Sequence, residues 1–196
     1  MFPQTLLEAH RRDLRAITAL ADNDLQLLWR RFDVSDGVRA REALMQALPE
    51  LVGAYGSAAA TLGADWYDDL RDTAAPRARR FRAAPAGLPD ADRTDALARW
   101  GVEPLFKATG PEMAAAATTA LSNVGGGLQR ILANAARATV ITSTGNDPAA
   151  QGWSRSTSGG CDFCKMLAGR GAVYRTVDTA DFEAHDRCHC IAVPAF

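Results

Sequence analysis

Apolar residues recur at helical spacing along much of the chain. In residues 3–32 they return every three or four positions (Leu7, Leu14, Ile17, Leu20, Leu25, Leu28 and Phe32), which predicts one amphipathic helix. A second stripe predicts a helix over 36–72 (Leu44, Leu48, Leu51, Tyr55, Ala58, Leu62 and Trp66). Pro49 interrupts it, because proline has no N–H and its ring clashes with the preceding turn, so we expect a kink near Met45. Both stripes are typical of packing between helices.

The periodicity stops in residues 74–90, where three prolines and a glycine predict a loop or extended segment. A short helix is predicted at 91–100. A longer one should begin at a capping box, with Thr109 as N-cap and Glu112 at the third helical position, and run to about Thr144. The glycines at 125–127 each cost ~1 kcal/mol relative to alanine in a helix. We therefore expect close approach of another backbone there, or a break into two helices.

The composition changes after the turn residues 144–148. Glycine, serine, threonine and strand-forming residues become frequent, and three short strands around one helical turn are predicted. The predicted fold is mainly α: a helical body of long helices over 1–145 and a small Cys/His-rich α+β domain over 146–196.

Composition agrees with this fold class and restricts the function. Alanine supplies 39 of the 196 residues and aromatic residues only 7%, a balance that favours helices. The net charge of −1 argues against a strongly basic, nonspecific nucleic-acid binder. Charged residues come too early for a secretory signal, and no run of ~18 apolar residues is present. We expect synthesis in the cytoplasm and no membrane partner, so thiols or metal ligands are favoured over disulfides.

All four cysteines and two of the three histidines lie in the last 36 residues. The spacing is C-x2-C, twenty residues, then H-x2-C-x-C. Because zinc prefers four thiolate or imidazole ligands, this spacing predicts a structural zinc site, and so small a unit has need of one. The first choice of ligands is Cys161, Cys164, His185 and Cys188. The alternates are Cys190, which could replace His185 in an all-cysteine site, and His189.

Other chemistries remain open for the same cluster. The cysteines could be thiols without a metal, or a redox pair, although a thioredoxin-like fold is not predicted around the C-x2-C. A Cys188–His185 nucleophile pair has no evident orienting residue. A zinc deaminase is excluded, because its H-x-E motif would have to precede a P-C-x2-C.

Basic residues form a second candidate site. Arg77, Arg79, Arg80 and Arg82 fall within six positions of the predicted loop and could contact phosphates or an acidic partner. The alternative is a solvated loop whose arginines pair with nearby carboxylates. We call residues 146–196 the tail. A nucleic-acid contact module could also use further basic residues there (Lys165, Arg170, Arg175 and Arg187).

The cysteine segment resembles the MuF-like minor head proteins of tailed phages. The shared order is C-x2-C, L-x-G-R at 167–170, an aromatic strand at 173–174, and H-x2-C-x-C at 185–190. The tail from WSRSTSGG to EAHDRCHC and the helix ALPELVGAYGSAAATLGADWYDDLR are similar to the versions in phages of actinobacteria. The commoner family ending has proline and arginine where this chain has Asp186 and His189, which leaves the ligand assignment open.

The resemblance implies a protein of the virus particle. Family members associate with the portal or inner capsid, in few copies, and act in head assembly or DNA packaging and delivery. This implies portal or capsid proteins and packaged DNA as partners, within a multi-protein assembly in the phage head. Similar chains are often labelled capsid maturation proteases, which is the alternative function. Serines at 154, 156 and 158 and His185 are available for such chemistry, but no nucleophile elbow or catalytic triad motif is evident, so no catalytic residue is assigned.

Overall fold

The computed structural model describes residues 4–159, 162–175, 182 and 184–196. Its helices are α1 (Gln4–Trp29), α2 (Gly37–Leu51), α3 (Ser57–Ala74), α4 (Ala91–Gly101), α5 (Glu103–Lys107), α6 (Met113–Asn146) and α7 (Asp162–Ala168), and its strands are β1 (Gly152–Ser156) and β2 (Ile191–Ala195). A π-helical turn, Val52–Gly56, joins α2 to α3, and a 3-10 turn, Gly110–Glu112, leads into α6. The predicted mainly α class with a small α+β end is confirmed.

The first two predicted helices are present with changed limits. Helix α1 ends at Trp29 rather than at residue 32, because the chain turns there through main-chain bonds. Asp36 caps α2, and its carboxylate accepts hydrogen bonds from the N–H groups of Val38 (2.8 Å) and Arg39 (3.2 Å). The predicted helix over 36–72 leaves α geometry in the π-helical turn after Pro49, not near Met45, which lies inside α2. The kink expected near Met45 stays a prediction, whereas the change of helix type lies at Val52–Gly56.

Helix α6 begins differently from the prediction and continues further. The Thr109 side chain makes no capping bond; instead the N–H of Glu112 donates to the Thr109 carbonyl (3.2 Å) in the 3-10 turn. A main-chain bond thus replaces the predicted capping box at a turn that contains Pro111. The helix then runs unbroken to Asn146.

Three different neighbours explain the consecutive glycines 125–127 of α6. A Cβ at Gly125 would lie 2.9 Å from the Asp22 carboxylate of α1, and one at Gly126 would lie 3.2 Å from the Asp186 Cβ of the tail. A Cβ at Gly127 would overlap the Leu97 side chain of α4. The close approach was predicted, but side chains rather than a backbone make it, and the helix is not broken.

The tail contains a two-stranded antiparallel sheet. Strand β1 pairs with β2 so that Trp153 lies opposite Pro194 and Ser154 opposite Val193. The predicted third strand is reduced, in the described residues, to a single bridge in which the Trp153 N–H donates to the Tyr174 carbonyl (2.7 Å). The main-chain N–H and carbonyl of Trp153 both pair with Tyr174. Pro194, which lies opposite Trp153 in β2 and has no N–H, therefore leaves no hydrogen bond unmade at this position.

Two hydrophobic clusters form the core, and α6 contributes to both. One lies among the helices and includes Leu25, Leu44 and Leu128. The other joins α3 to the tail and includes Trp66, Tyr67, Trp153 and Ile191, so the tail packs directly on the helices. The division of the chain into two domains at residue 145 stays a prediction. Among the described helices none is long and apolar enough to cross a membrane.

A buried ion pair fixes the point where α6 ends. Asp147 accepts hydrogen bonds from Arg71 Nε (2.5 Å) and Nη2 (3.2 Å) and from the Tyr67 hydroxyl (3.2 Å). Arg71 Nε and the Tyr67 hydroxyl donate to Oδ2, whereas Arg71 Nη2 donates to Oδ1, which also accepts from the N–H of Ala149 (3.0 Å). Arg71 also donates to the Arg79 carbonyl (2.5 Å). One carboxylate therefore connects α3, the loop after α3 and the start of the tail.

Candidate metal centre

Three buried cysteine thiols of the tail lie close together. Cys164 lies on α7, while Cys188 and Cys190 lie on the segment that leads into β2. All three are at most 3% exposed, and their Sγ atoms lie within 4.8 Å of one another. No disulfide joins these three cysteines. Three buried thiols this close could hold a metal ion, because zinc bound at about 2.3 Å from each sulfur brings ligand atoms to about this separation.

The local backbone explains the convergence of Cys188 and Cys190. Alternate residues of an extended segment point to the same side, and here both cysteines are buried while His189 between them is exposed. The segment is preceded by a turn in which Arg187 has a positive φ of 61° and the Cys188 N–H donates to the His185 carbonyl (3.2 Å). His189, the middle residue of the C-x-C motif, therefore faces away from the thiols.

His185 lies at the edge of the cluster. Its Nε2 is 4.0 Å from Cys164 Sγ, and its Nδ1 is 2.8 Å from the Asp186 carbonyl oxygen. A carbonyl can only accept, so this bond requires the proton on Nδ1, and in neutral imidazole Nε2 then keeps a lone pair. Metal-binding histidines commonly donate their second ring N–H to such an acceptor.

Of the predicted ligands, the structure brings together Cys164, Cys188 and the alternate Cys190, with His185 beside Cys164. The fourth cysteine, Cys161, lies outside the described residues. A cavity of about 160 Å³ borders Cys164, His185, Cys188 and Cys190, and an ion could enter by it.

Arg137 lies behind the cysteine segment and was not among the predicted site residues. This α6 residue is 2% exposed. Its Nε donates to the Cys190 carbonyl (2.9 Å) and its Nη2 to the Cys188 carbonyl (2.7 Å). Gln129, also on α6, donates to the Cys188 carbonyl (3.2 Å). The available signal was a single charge within the long uncharged run 131–146, since a charge there is surrounded by helix faces that pack.

A second buried arginine approaches the thiols from the sheet. Arg155 on β1 is 3% exposed, and its Nη1 lies 3.7 Å from Cys164 Sγ. Its guanidinium lies over the Phe182 ring at 3.9 Å, and that of Arg137 lies over the same ring at 4.8 Å. The ring of Phe182 is also stacked on Trp153. Alternation along β1 places Trp153 and Arg155 on the buried side of the strand and Ser154 and Ser156 on the more exposed side.

The electrostatics of the centre favour thiolate. Burial lowers the pKa of Arg137 to about 10, and the neighbouring Cys188 and Cys190 act in the opposite direction. A hydrogen bond between these two cysteines raises the pKa of Cys188, to which burial adds, and lowers the pKa of Cys190. One sulfur of the pair thus donates and the other accepts as thiolate, which is the form that binds metals.

The other predicted residues lie apart from this centre. The four arginines of the loop are exposed, and Arg82 pairs with Asp72 (3.1 Å) and approaches Asp68 (3.8 Å). The Ser156 hydroxyl accepts from Arg11 Nη2 (2.5 Å), and the Ser158 hydroxyl accepts from Arg15 Nη2 (3.1 Å). These serines therefore connect the tail to α1. Phosphate contact by the loop arginines stays a prediction.

Comparison with known proteins gives one match. The family model described as VG15 protein matches residues 1–196, the whole chain. No curated protein and no solved structure matches. Because the match covers the entire length, the chain belongs to the VG15 protein family, a family of phage proteins.

Proposed function

We propose that this protein is a minor structural protein of the phage head, bound to portal or capsid proteins, and that it acts in head assembly or in packaging and delivery of DNA. Membership of a phage family supports a virion-associated role. The observation that carries the structural part of the proposal is the buried thiol cluster, because a metal ion bound there would join α7 to the segment before β2 and so stabilise the small tail. The MuF-like resemblance supports the portal-proximal location.

The test of location is the composition of purified phage particles. Quantitative mass spectrometry should find the chain in mature heads at a few copies per particle. Particles from a phage that lacks the gene should form fewer intact heads or eject DNA less efficiently. If the chain is absent both from mature heads and from assembly intermediates, the structural role is overturned.

The metal in this proposal is zinc. Cys164, Cys188 and Cys190 supply three thiolates, and the fourth position is taken by His185 or by Cys161. Bound zinc would neutralise the thiolate charge and join α7 to the segment before β2, so its binding energy would stabilise the tail. The purified chain should then carry about one zinc per molecule, a stoichiometry that follows from four ligands per ion.

Single substitutions separate the ligand sets. Cys190→Ser should abolish stoichiometric zinc, while His189→Ala, at the exposed position beside it, should leave the zinc content unchanged. Comparison of His185→Ala with Cys161→Ser then identifies the fourth ligand, since its loss should weaken binding far more than loss of the other. Full zinc occupancy in Cys190→Ser would rule out the proposed three-thiolate set.

A further inference from the structure

Arg137 is buried without an acidic counter-ion among the described residues. Within 4–159, 162–175, 182 and 184–196, no carboxylate lies within ion-pair distance of it. Arg71, equally buried, has Asp147 at 2.5 Å. A buried guanidinium that lacks an opposite charge is strongly disfavoured, so the groups around Arg137 must offset its charge.

The groups that surround Arg137 are those of the cysteine segment. Two of its N–H groups bond to the carbonyls of Cys188 and Cys190, at 2.7 and 2.9 Å. A third bonds to Asn134 on the preceding turn of α6 (2.7 Å), and this bond fixes the plane of the guanidinium. Carbonyl oxygens supply only partial negative charge, whereas thiolates of the same two residues would supply full charges when they bind a metal ion.

We propose that Arg137 is a positioning residue and counter-charge for an anionic metal–thiolate centre. This inference rests on the metal site proposed above. By holding the carbonyls on both sides of His189, the planar guanidinium fixes the extended C-x-C segment with both sulfurs on one side. Its positive charge offsets the negative charge that remains when a divalent ion is bound by three or four thiolates.

The proposal differs from a purely structural role in one measurable respect. A residue that only packs the tail on α6 would change the stability of the metal-free and metal-bound chains equally, and metal affinity would stay the same. A residue that positions the ligands acts more strongly on the metal-bound form. Substitution of outer partners of metal ligands commonly lowers affinity by about 10- to 100-fold.

The test is the zinc dissociation constant of the full chain, measured by competition with a chromophoric chelator. Arg137→Gln should weaken zinc binding by about 10- to 100-fold. The cobalt-substituted protein should also show shifted thiolate-to-cobalt absorption bands. Arg130→Gln is the matched control, because Arg130 lies on the same helix and bonds to the same segment through Asp186 (3.1 Å), but on the exposed side. Its zinc affinity should stay close to wild type.

Arg137→Lys provides a second variant if Arg137→Gln fails to fold. It keeps the charge but cannot bond to both carbonyls in the same planar geometry, so its affinity should fall between those of wild type and Arg137→Gln. Wild-type affinity and cobalt spectra in the Arg137 variants would overturn the positioning role while the metal site stands. Failure of the wild-type chain to bind zinc or cobalt would instead overturn the metal site itself.

Discussion

Asp147→Asn tests the buried ion pair at the end of α6. The substitution keeps the shape and one acceptor oxygen but removes the charge that faces Arg71 at 2.5 Å. The Asp147 side chain is 0% exposed and that of Arg71 is 5% exposed, so water cannot compensate for the lost charge. A carboxylate is also disfavoured at a helix C-terminus, and Arg71 therefore has to offset that effect as well.

The expected loss follows from these contacts. Breaking a buried pair by removing one partner costs about 3–5 kcal/mol. Because asparagine keeps one acceptor oxygen, which can serve the Tyr67 hydroxyl or the N–H of Ala149 but not both, we expect the lower end, about 3 kcal/mol. For a chain of this size that corresponds to a decrease of roughly 6–12 °C in Tm.

Urea denaturation with matched thermal scans is the assay, and Asp95→Asn is the control. Asp95 pairs with Arg99 at 3.6 Å on the surface, with the arginine side chain 62% exposed, so its loss should cost less than about 1 kcal/mol. Equal destabilisation by the two substitutions would refute the argument that burial makes the Asp147 pair important.

Acid should weaken the same pair. Burial by itself would raise the pKa of Asp147, but the hydrogen bonds from Arg71 and from the N–H of Ala149 outweigh it, and the pKa is lowered. A carboxyl whose pKa is lowered by folding contributes its full stability above the pKa of the unfolded chain and loses it as the pH falls. Asp147→Asn should therefore differ least from wild type at the lowest pH.

Three further changes test other parts of the fold. Gly63→Ala should cost about 1–3 kcal/mol, because its Cβ would lie 2.7 Å from the Ala136 carbonyl oxygen, whereas Gly53→Ala, with nothing within 4 Å, should be neutral or stabilising in urea titrations. Burial lowers the pKa of His10, stacked on Trp66, to about 4. Because the unfolded chain takes up the proton first as the pH falls from about 6.5 toward 4, wild type should lose stability over that window, and His10→Phe should lose less; parallel pH profiles would contradict this. Removal of zinc by a chelator at pH 7 should lower Tm by several degrees, and excess zinc should restore it; an unchanged Tm would argue against a stabilising metal.

The helices could be predicted because their apolar spacing is regular and each buries one face. The limits were less predictable where main-chain bonds replaced side-chain caps, as at Thr109. The predicted proximity of Cys164 and Cys188 agrees with the structure, since C-x2-C and H-x2-C-x-C are local patterns that converge when the tail folds back.

The surroundings of the thiols could not be predicted, because they depend on tertiary packing. Arg137 is separated from Cys188 by 51 positions and Arg155 is far from Phe182 in sequence. Arginine usually faces solvent, whereas here the cysteine segment covers Arg137, and Cys164 and Phe182 contact the buried Arg155. Within the described residues, pairing of the predicted third strand consists of the bridge between Tyr174 and Trp153.

The three consecutive glycines of α6, 125–127, have a consequence for how this sequence tolerates change. Successive helix residues point about 100° apart, so 125–127 face three separate neighbours and no single compensating substitution can make room for all of them. At Gly125 the obstacle is the end of the Asp22 side chain, which can rotate, whereas at Gly127 it is the Leu97 side chain within the core. Substitution of these glycines should therefore be tolerated best at Gly125 and least at Gly127, although the segment has no chemically reactive group.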